Sequence, residues 1–203
     1  MKIIAEAGLN WQSFNEAVEY AEKAKEIGAD IIKYQWIKDD SLPSHKCHMN
    51  KGEWKALKGY CDKIGIEFIC TPSSKEILGD LLTIGIKSIK IGSDHVKDIP
   101  LTDGHKEHFK CLVSDGYYEG GNMYCVSLYP CDKKFIDFDK MANGKYIGFS
   151  DHTLEYNKEW CDKIKACSNI QYVEKHFTLT SNTIDANVSL NMKEMQQFIS
   201  NLK

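Results

Sequence analysis

The 203 residues contain 26 lysines, no arginine and 29 acidic side chains, which gives a net charge of −3 at neutral pH. This length supports one sizeable hydrophobic core, and the charge excludes the basic field that is typical of nucleic-acid-binding domains. Without a guanidinium group, any phosphate or carboxylate ligand must be bound by lysines, hydroxyls or backbone N–H groups.

The eight cysteines show no C-x-x-C spacing, and several lie in apolar runs, where cysteine behaves as a small hydrophobic residue. This usage predicts reduced thiols in a cytoplasmic protein, with disulfides or a zinc site as the less favoured alternative. No apolar stretch is long enough to span a membrane, and because the chain opens on a strand-like run we expect no signal peptide.

The first half of the chain alternates regularly between strand and helix patterns. Strands are predicted at residues 2–8, 31–36, 66–71 and 87–92, and helices at residues 13–27, 53–64 and 74–83. Ser13 and Glu16 have the spacing of a capping box at the start of the first helix. The polar residues 38–50 are predicted to form a loop over the site. This alternation indicates a parallel sheet.

The second half continues the pattern with one omission. Strands are predicted at residues 109–114, 123–128, 145–149 and 170–176, and helices at residues 155–167 and 192–202. Only eight residues, 115–122, separate the fifth and sixth strands, whereas a parallel crossover needs a dozen or more. Eight extended residues reach roughly 26–29 Å. We therefore predict that the helix after strand five is missing or is replaced by a short loop.

Eight strands without a dividing linker predict a single domain over residues 1–203, a compact (β/α)₈ TIM barrel of the α/β class. The length is near the lower limit of about 200 residues for this fold. An open doubly wound sheet is the structural alternative. It would need a glycine-rich turn after the first strand, and Ala7-Gly8-Leu9-Asn10 does not supply one.

Polar residues gather at the ends of the last two strands. Ser150 and His152 are two residues apart, as are Glu174 and His176, so each pair shares one face of its strand. Sites in parallel α/β proteins lie at the carboxyl ends of the strands. Two imidazoles and a carboxylate at neighbouring strand ends indicate a divalent-metal or acid–base site.

Two lysines, Lys33 and Lys90, lie within predicted strands. A buried lysine needs an anionic partner, which beside nearby hydroxyls could be a phosphate or a carboxylate. The alternative is that both lysines extend their ammonium groups to solvent from the rim of the barrel.

Eight short motifs follow one another along the chain. They are residues 4–10 (I-A-E-x-G-x-N), 28–35 (G-A-D…K-x-Q), 65–72 (G-I-x-F-x-x-T-P), 90–101 (K-I-G-S…x-P-L), 127–130 (ending in Y-P), 147–153 (I-G-x-S-D-H-T), 173–178 (E-K-H-F-T) and 185–189 (D-x-x-x-S). In this order they resemble the sialic acid synthase family, whose members condense phosphoenolpyruvate with N-acetylmannosamine or a related amino sugar.

The resemblance implies a TIM barrel and a role for each matching position. A divalent ion, Mn²⁺ or Mg²⁺, would be bound by His152 and His176. Glu6, Gln35 and Glu174 would lie at the reacting groups. The positions that would bind the substrates, phosphoenolpyruvate and the amino sugar, are Lys33, Thr71, Lys90, Ser93, Ser114, Ser127, Tyr129, Ser150 and Asp185.

The chain also departs from the family pattern. Trp11 stands where the family usually has histidine, and Asp115 stands within the family's S-T-G. After K-I-G-S the family commonly has glycine and an acidic residue that activates water. Here Asp94 and His95 occupy those positions and are the candidates for that role. We also expect the protein to lack the family's antifreeze-like C-terminal domain and the arginine that this domain supplies.

Two other functions stay open from the sequence. A degenerate barrel could bind a ligand or partner without turnover, and a metal-dependent lyase or hydrolase could use the same scaffold. The missing helix would leave apolar strand faces bare, and we expect a second copy of the chain to cover them as a homodimer.

Overall fold

The computed structural model describes residues 1–37, 48–93, 108–115 and 121–203. The parallel strands are β1 (Lys2–Gly8), β2 (Ile31–Trp36), β3 (Glu67–Pro72), β4 (Ser88–Ile91), β5 (Lys110–Val113), β6 (Met123–Cys125), β7 (Gly148–Asp151), β8 (Tyr172–Thr178) and the short β9 (Leu190–Asn191). The helices are α1 (Phe14–Glu26), α2 (Lys51–Ile64), α3 (Lys75–Thr83), α4 (Phe138–Met141), α5 (Lys158–Ala166) and α6 (Met192–Leu202).

The sheet closes on itself. Its strands follow the order β5-β4-β3-β2-β1-β8-β7-β6, with β9 beside β8. The two ends meet where Ser114 pairs with Met123 in parallel. There the Asn122 N–H donates to Val113 O at 2.9 Å, and the Asp115 N–H donates to Met123 O at 2.8 Å. The predicted (β/α)₈ barrel is therefore confirmed, and the open doubly wound sheet is excluded.

The short connection between β5 and β6 is only partly described. Asp115 and Asn122 are hydrogen-bonded to the strand ends, while residues 116–120 lie outside the described ranges. The missing helix after strand five accordingly stays a prediction.

The sixth predicted strand is wrong in its length. β6 ends at Cys125 rather than at residue 128, because the backbone turns at once. The Leu128 N–H donates to Val126 O at 2.9 Å, and the following Tyr129–Pro130 bond is cis. The sequence pattern also missed α4, β9 and two short 3₁₀ helices, at Lys133–Phe135 and Ala186–Val188.

Helix capping follows the predicted residues in part. Ser13 Oγ accepts from the Glu16 N–H at 3.3 Å, but the Glu16 carboxylate accepts from Gln12 N–H at 2.7 Å rather than from Ser13. The predicted box is therefore wrong in its second half. Complete capping boxes begin α2 and α6, formed by Asn50 with Glu53 and by Asn191 with Glu194.

The core has two layers. Inside the barrel a small cluster fills the end opposite the site, formed by Ile4, Ile31, Ile69, Leu112, Met123 and Tyr172. Gly148 makes room for it, because a Cβ there would lie 2.1 Å from Met123 Sδ. The larger cluster lies between the strands and the helices. It includes Trp11, which is fully buried against Tyr34 and Trp54.

Seven cysteines fall within the described ranges, and all of them are free thiols, as the sequence predicts. No helix in these ranges is both long and apolar enough to cross a membrane.

A buried ion pair joins β7 to β8 on the outer side of the barrel. Lys175 Nζ lies 2.8 Å from Asp151 Oδ2, and both side chains are fully buried. Lys175 also donates to Thr153 O at 2.6 Å, and the Trp160 indole N–H donates to Asp151 Oδ2 at 2.9 Å. Because every group has a partner, the pair is tolerated in this apolar layer.

We predict that Lys175→Met lowers the free energy of unfolding by about 3–5 kcal/mol, because it leaves the Asp151 carboxylate buried without its cation. Urea denaturation measures this change. Lys158→Met is the matched control. It removes one partner of an exposed pair, Lys158 and Asp162 at 2.6 Å, and should cost less than about 1 kcal/mol. Similar losses in both variants would contradict the prediction.

Candidate active site

A cavity of about 350 Å³ opens at the carboxyl ends of the strands. Predicted site residues supply most of its polar lining, namely Lys33, Gln35, Lys90, Ser93, Ser114, Tyr129, His152, Glu174, His176 and Asp185. The remaining wall includes Leu9, Ile37, Asn187 and Val188, which the sequence analysis did not select. Alternation along β2 and β8 places Lys33 with Gln35 and Glu174 with His176, because inward-facing residues recur at every second position of a strand.

The floor of the site is a network of two lysines and two carboxylates. Lys33 Nζ lies 2.6 Å from Glu6 Oε2 and donates to Thr71 Oγ1 at 3.1 Å. Lys90 Nζ lies 2.5 Å from Glu174 Oε1. All four charged side chains are at most 4 % exposed. The alternative in which the lysines extend to solvent from the rim is therefore wrong.

Burial affects the two carboxyl groups differently. Burial raises the pKa of Glu6 to about 8, although Lys33 acts against it. Burial would also raise the pKa of Glu174, but Lys33 and Lys90 outweigh it and lower that pKa to about 2. Glu6 is thus mainly protonated at neutral pH and Glu174 is ionised. With both lysines charged, the floor carries a net positive charge that suits an anionic ligand.

Both histidines face the cavity as neutral imidazoles. Burial lowers the pKa of His152 to about 4 and that of His176 well below its ordinary value. His152 Nδ1 donates to Val126 O at 3.0 Å, so the lone pair of the neutral ring is on Nε2. The ring centroids of the two histidines are 5.7 Å apart, and the Tyr129 ring lies 4.1 Å from His152.

The two imidazoles fit a divalent metal ion. Neutral imidazole is a metal ligand, and the backbone carbonyl that fixes the His152 tautomer is a typical supporting partner. The Nδ1 atom of His176 is buried and has no hydrogen-bond partner among the described residues. No group of three or more His, Cys, Asp or Glu side chains in the described ranges could hold an ion. An ion bound here would therefore take its remaining ligands from water or substrate.

Asp185 reaches the site through a close approach to β1. Its Oδ2 accepts from the Leu9 N–H at 3.0 Å and lies 3.9 Å from His176 Nδ1. Gly8 permits this approach, because a Cβ there would lie 2.4 Å from the same oxygen. Two of the selected serines lie close to other selected residues. Ser150 Oγ lies 3.3 Å from His152 Nε2, and Ser93 Oγ lies 3.4 Å from the Tyr129 hydroxyl.

Not every residue selected from the sequence is found in the lining of the cavity. Asp94 and His95 fall outside the described residues, and Ser127 does not line the cavity. Asp115 points away from the site, because its Oδ2 accepts from the Tyr146 hydroxyl and lies 3.5 Å from Lys145 Nζ. Its charge therefore does not oppose an anion in the cavity.

Trp11 also lies away from the cavity, in the layer between helices and strands, with its indole N–H bonded to Gly8 O at 3.0 Å. It cannot substitute for a histidine that contacts a ligand. The sequence analysis missed Cys125, whose sulfur lies 3.9 Å from His152 Nδ1. The alternation along β6 could have identified it as an inward-facing residue.

A family model described as the NeuB family matches residues 20–123 and 119–203. The two matches meet in the connection between β5 and β6, where the sequence predicts the missing helix. An uncharacterized protein of Methanocaldococcus jannaschii is 27% identical over 237 aligned positions, which cover 99% of this chain and 69% of that protein. The N,N'-diacetyllegionaminic acid synthase of Campylobacter jejuni is 25% identical, with 99% of this chain and 75% of the relative covered.

Solved structures share the fold. The N-acetylneuraminic acid synthetase of Leptospira borgpetersenii superposes with a TM-score of 0.86 at 23% identity, covering 98% of this chain and 81% of that one. The spore coat polysaccharide biosynthesis protein spsE of Bacillus subtilis gives a TM-score of 0.78 at 22% identity, covering 99% and 66%. At this level of identity the likeness concerns the barrel.

The raised pKa of Glu6 predicts a pH dependence of stability. The pKa of a glutamate is ordinarily near 4.5 and that of Glu6 is about 8 in the fold. Ionisation therefore favours the unfolded chain, and wild-type stability is lost as the pH rises between these values. Glu6→Gln lacks this loss, so its stability relative to wild type should increase across that window, by at most about 1.4 kcal/mol per pH unit.

Urea denaturation from pH 5 to pH 9 in EDTA measures this difference. Glu159→Gln is the control, because the neighbouring Lys163 lowers rather than raises the pKa of that exposed carboxylate. A stability difference for Glu6→Gln that does not change with pH would contradict the prediction.

Proposed function

Because the chain belongs to the NeuB family, we propose that it is a sialic acid synthase-type transferase. In this proposal it condenses phosphoenolpyruvate with N-acetylmannosamine or a related amino sugar, forming a nonulosonic acid and releasing phosphate. One observation carries the proposal. Two buried lysines and several hydroxyls lie beside two neutral histidines in a single cavity at the carboxyl end of the barrel.

The lysines and hydroxyls suit phosphoenolpyruvate, which carries a phosphate and a carboxylate. Lys33 and Lys90 would offset its charge, while Thr71, Ser93, Ser114 and Ser150 supply buried hydroxyls, each at most 4 % exposed. Fixing the anion in this way orients the enolic carbon and stabilises the charge that develops in the transition state.

Three other residues of the cavity lining suit an amino sugar. Gln35, Tyr129 and Asp185 present amide, hydroxyl and carboxylate groups to the cavity, and these would bind the sugar hydroxyls. A Mn²⁺ or Mg²⁺ ion held by His152 and His176 would supply Lewis-acid polarisation of the sugar's carbonyl oxygen.

The chemistry then proceeds between the two substrates. The enolic carbon of phosphoenolpyruvate forms a bond to the carbonyl carbon of the open-chain sugar, and positive charge develops at C2. Water adds at C2, and the resulting tetrahedral centre loses phosphate. The carbonyl oxygen gains a proton, and Glu6, protonated at neutral pH, is our candidate donor. Asp94 and His95 are our candidates for activating the water.

We predict sugar-dependent phosphate release when the purified protein is incubated with phosphoenolpyruvate, Mn²⁺ and N-acetylmannosamine. Mass spectrometry should detect the nonulosonic acid. His152→Ala should abolish product, because it removes one of the two imidazoles that face the cavity. A panel of related amino sugars tests the choice of acceptor. Absence of product with every sugar, while phosphoenolpyruvate still binds, would favour a degenerate barrel instead.

We also predict that the protein binds Mn²⁺ and that His152→Ala weakens binding at least about tenfold, since loss of even a supporting partner of a metal ligand costs 10–100-fold. Titration monitored by electron paramagnetic resonance measures free Mn²⁺ directly. His108→Ala is the matched control, because His108 is exposed and precedes β5, at the barrel end opposite the site. Equal affinities for all three proteins would contradict the metal assignment.

A further inference from the structure

One carboxylate oxygen, Glu174 Oε1, lies where the groups proposed to bind phosphate converge. Lys90 Nζ donates to it at 2.5 Å and Ser150 Oγ donates to it at 3.0 Å. Lys33 Nζ lies 3.7 Å from the same oxygen. Lys90 also bonds Ser150 Oγ at 3.0 Å, so the three groups form one cluster around this atom.

The other oxygen of this carboxylate is in a different situation. Glu174 Oε2 is buried and receives no hydrogen bond from the described residues. A buried carboxylate is normally bonded through both oxygens, because each unsatisfied one costs free energy. The side chain is therefore held by Oε1 alone, through groups that an anionic ligand would also use.

We propose that Glu174 is a positioning residue that occupies the phosphate position of the ligand-free site. It keeps Lys33, Lys90 and Ser150 in place and neutralises part of the charge of the two lysines. When phosphate binds, it displaces Glu174 Oε1 from these three groups. The inference deepens the proposed function and rests on it, because it takes the phosphate of phosphoenolpyruvate as the natural occupant.

A coupling between metal and anion follows from this arrangement. Glu174 and His176 lie two residues apart on the inner face of β8, so a cation bound by the histidines attracts the displaced carboxylate. Metal binding therefore favours release of the lysines, and phosphate binding favours retention of the metal. By linkage, each ligand raises the affinity for the other by the same factor.

The decisive experiment measures inorganic phosphate binding by isothermal titration calorimetry at pH 9, with EDTA and then with Mn²⁺. Without metal, Glu174→Gln should bind phosphate about tenfold more tightly than wild type, because the competing oxygen no longer carries charge. Mn²⁺ should raise the affinity of wild type and change that of the variant much less. Phosphate binding in Glu174→Gln that equals or falls below that of wild type would overturn the proposal.

Two further variants separate displacement from a general charge effect. Glu6→Gln removes a carboxylate that lies 2.6 Å from Lys33 and is ionised at this pH. It leaves Lys90 and Ser150 bonded to Glu174, so its phosphate affinity should rise less than that of Glu174→Gln. An equal gain would overturn the positioning role. Glu174→Asp keeps the negative charge but its side chain is shorter by one methylene, so its phosphate affinity should rise by a smaller factor. If Glu174→Gln does not fold, Glu174→Asp is the variant that tests the proposal.

The same phosphate-binding measurements distinguish a failure of this inference from a failure of the proposed function. Phosphate binding by wild type with no gain in either Glu174 variant would overturn the positioning role alone. No phosphate binding by any of the proteins, with or without Mn²⁺, would overturn the anion site of the proposed function as well.

Discussion

The charge balance inside the closed barrel is the constraint on which the site depends. Lys33 and Lys90 lie above an apolar layer that includes Ile4 and Ile31, and each is only 3% exposed. Ionised Glu174 offsets part of the charge of both ammonium groups, and the Glu6 carboxyl group lies 2.6 Å from Lys33. The protein must therefore keep these two carboxyl groups in place when the cavity holds no ligand.

Strand β8 serves the site and the scaffold with alternate residues. Glu174 and His176 face the cavity, while Lys175 between them faces outward and pairs with Asp151. Because side chains alternate along a strand, a shift in register by one residue would exchange the two sets. The ion pair at Lys175 thus also fixes the register that directs Glu174 and His176 inward.

Much of this arrangement could be predicted from local sequence. Period-two spacing places Glu174 with His176, and the alternation of strands and helices predicts the barrel. Other features depend on contacts between distant residues and have no local signal. The Glu16 carboxylate accepts from the Gln12 N–H rather than from Ser13. Asp115 is directed away from the site and accepts from the Tyr146 hydroxyl, and Glu174 accepts from Lys90.

The packing of the tryptophans gives the barrel two separate optical reporters. Trp11, Trp36 and Trp54 belong to one cluster against the first three strands, with Trp36 and Trp54 stacked at 4.9 Å. Trp160 instead donates to Asp151, beside the last two strands. The tryptophan fluorescence of a Trp160→Phe protein would thus report the packing of the first half alone. Comparison with wild type would reveal whether the two halves of the barrel unfold together.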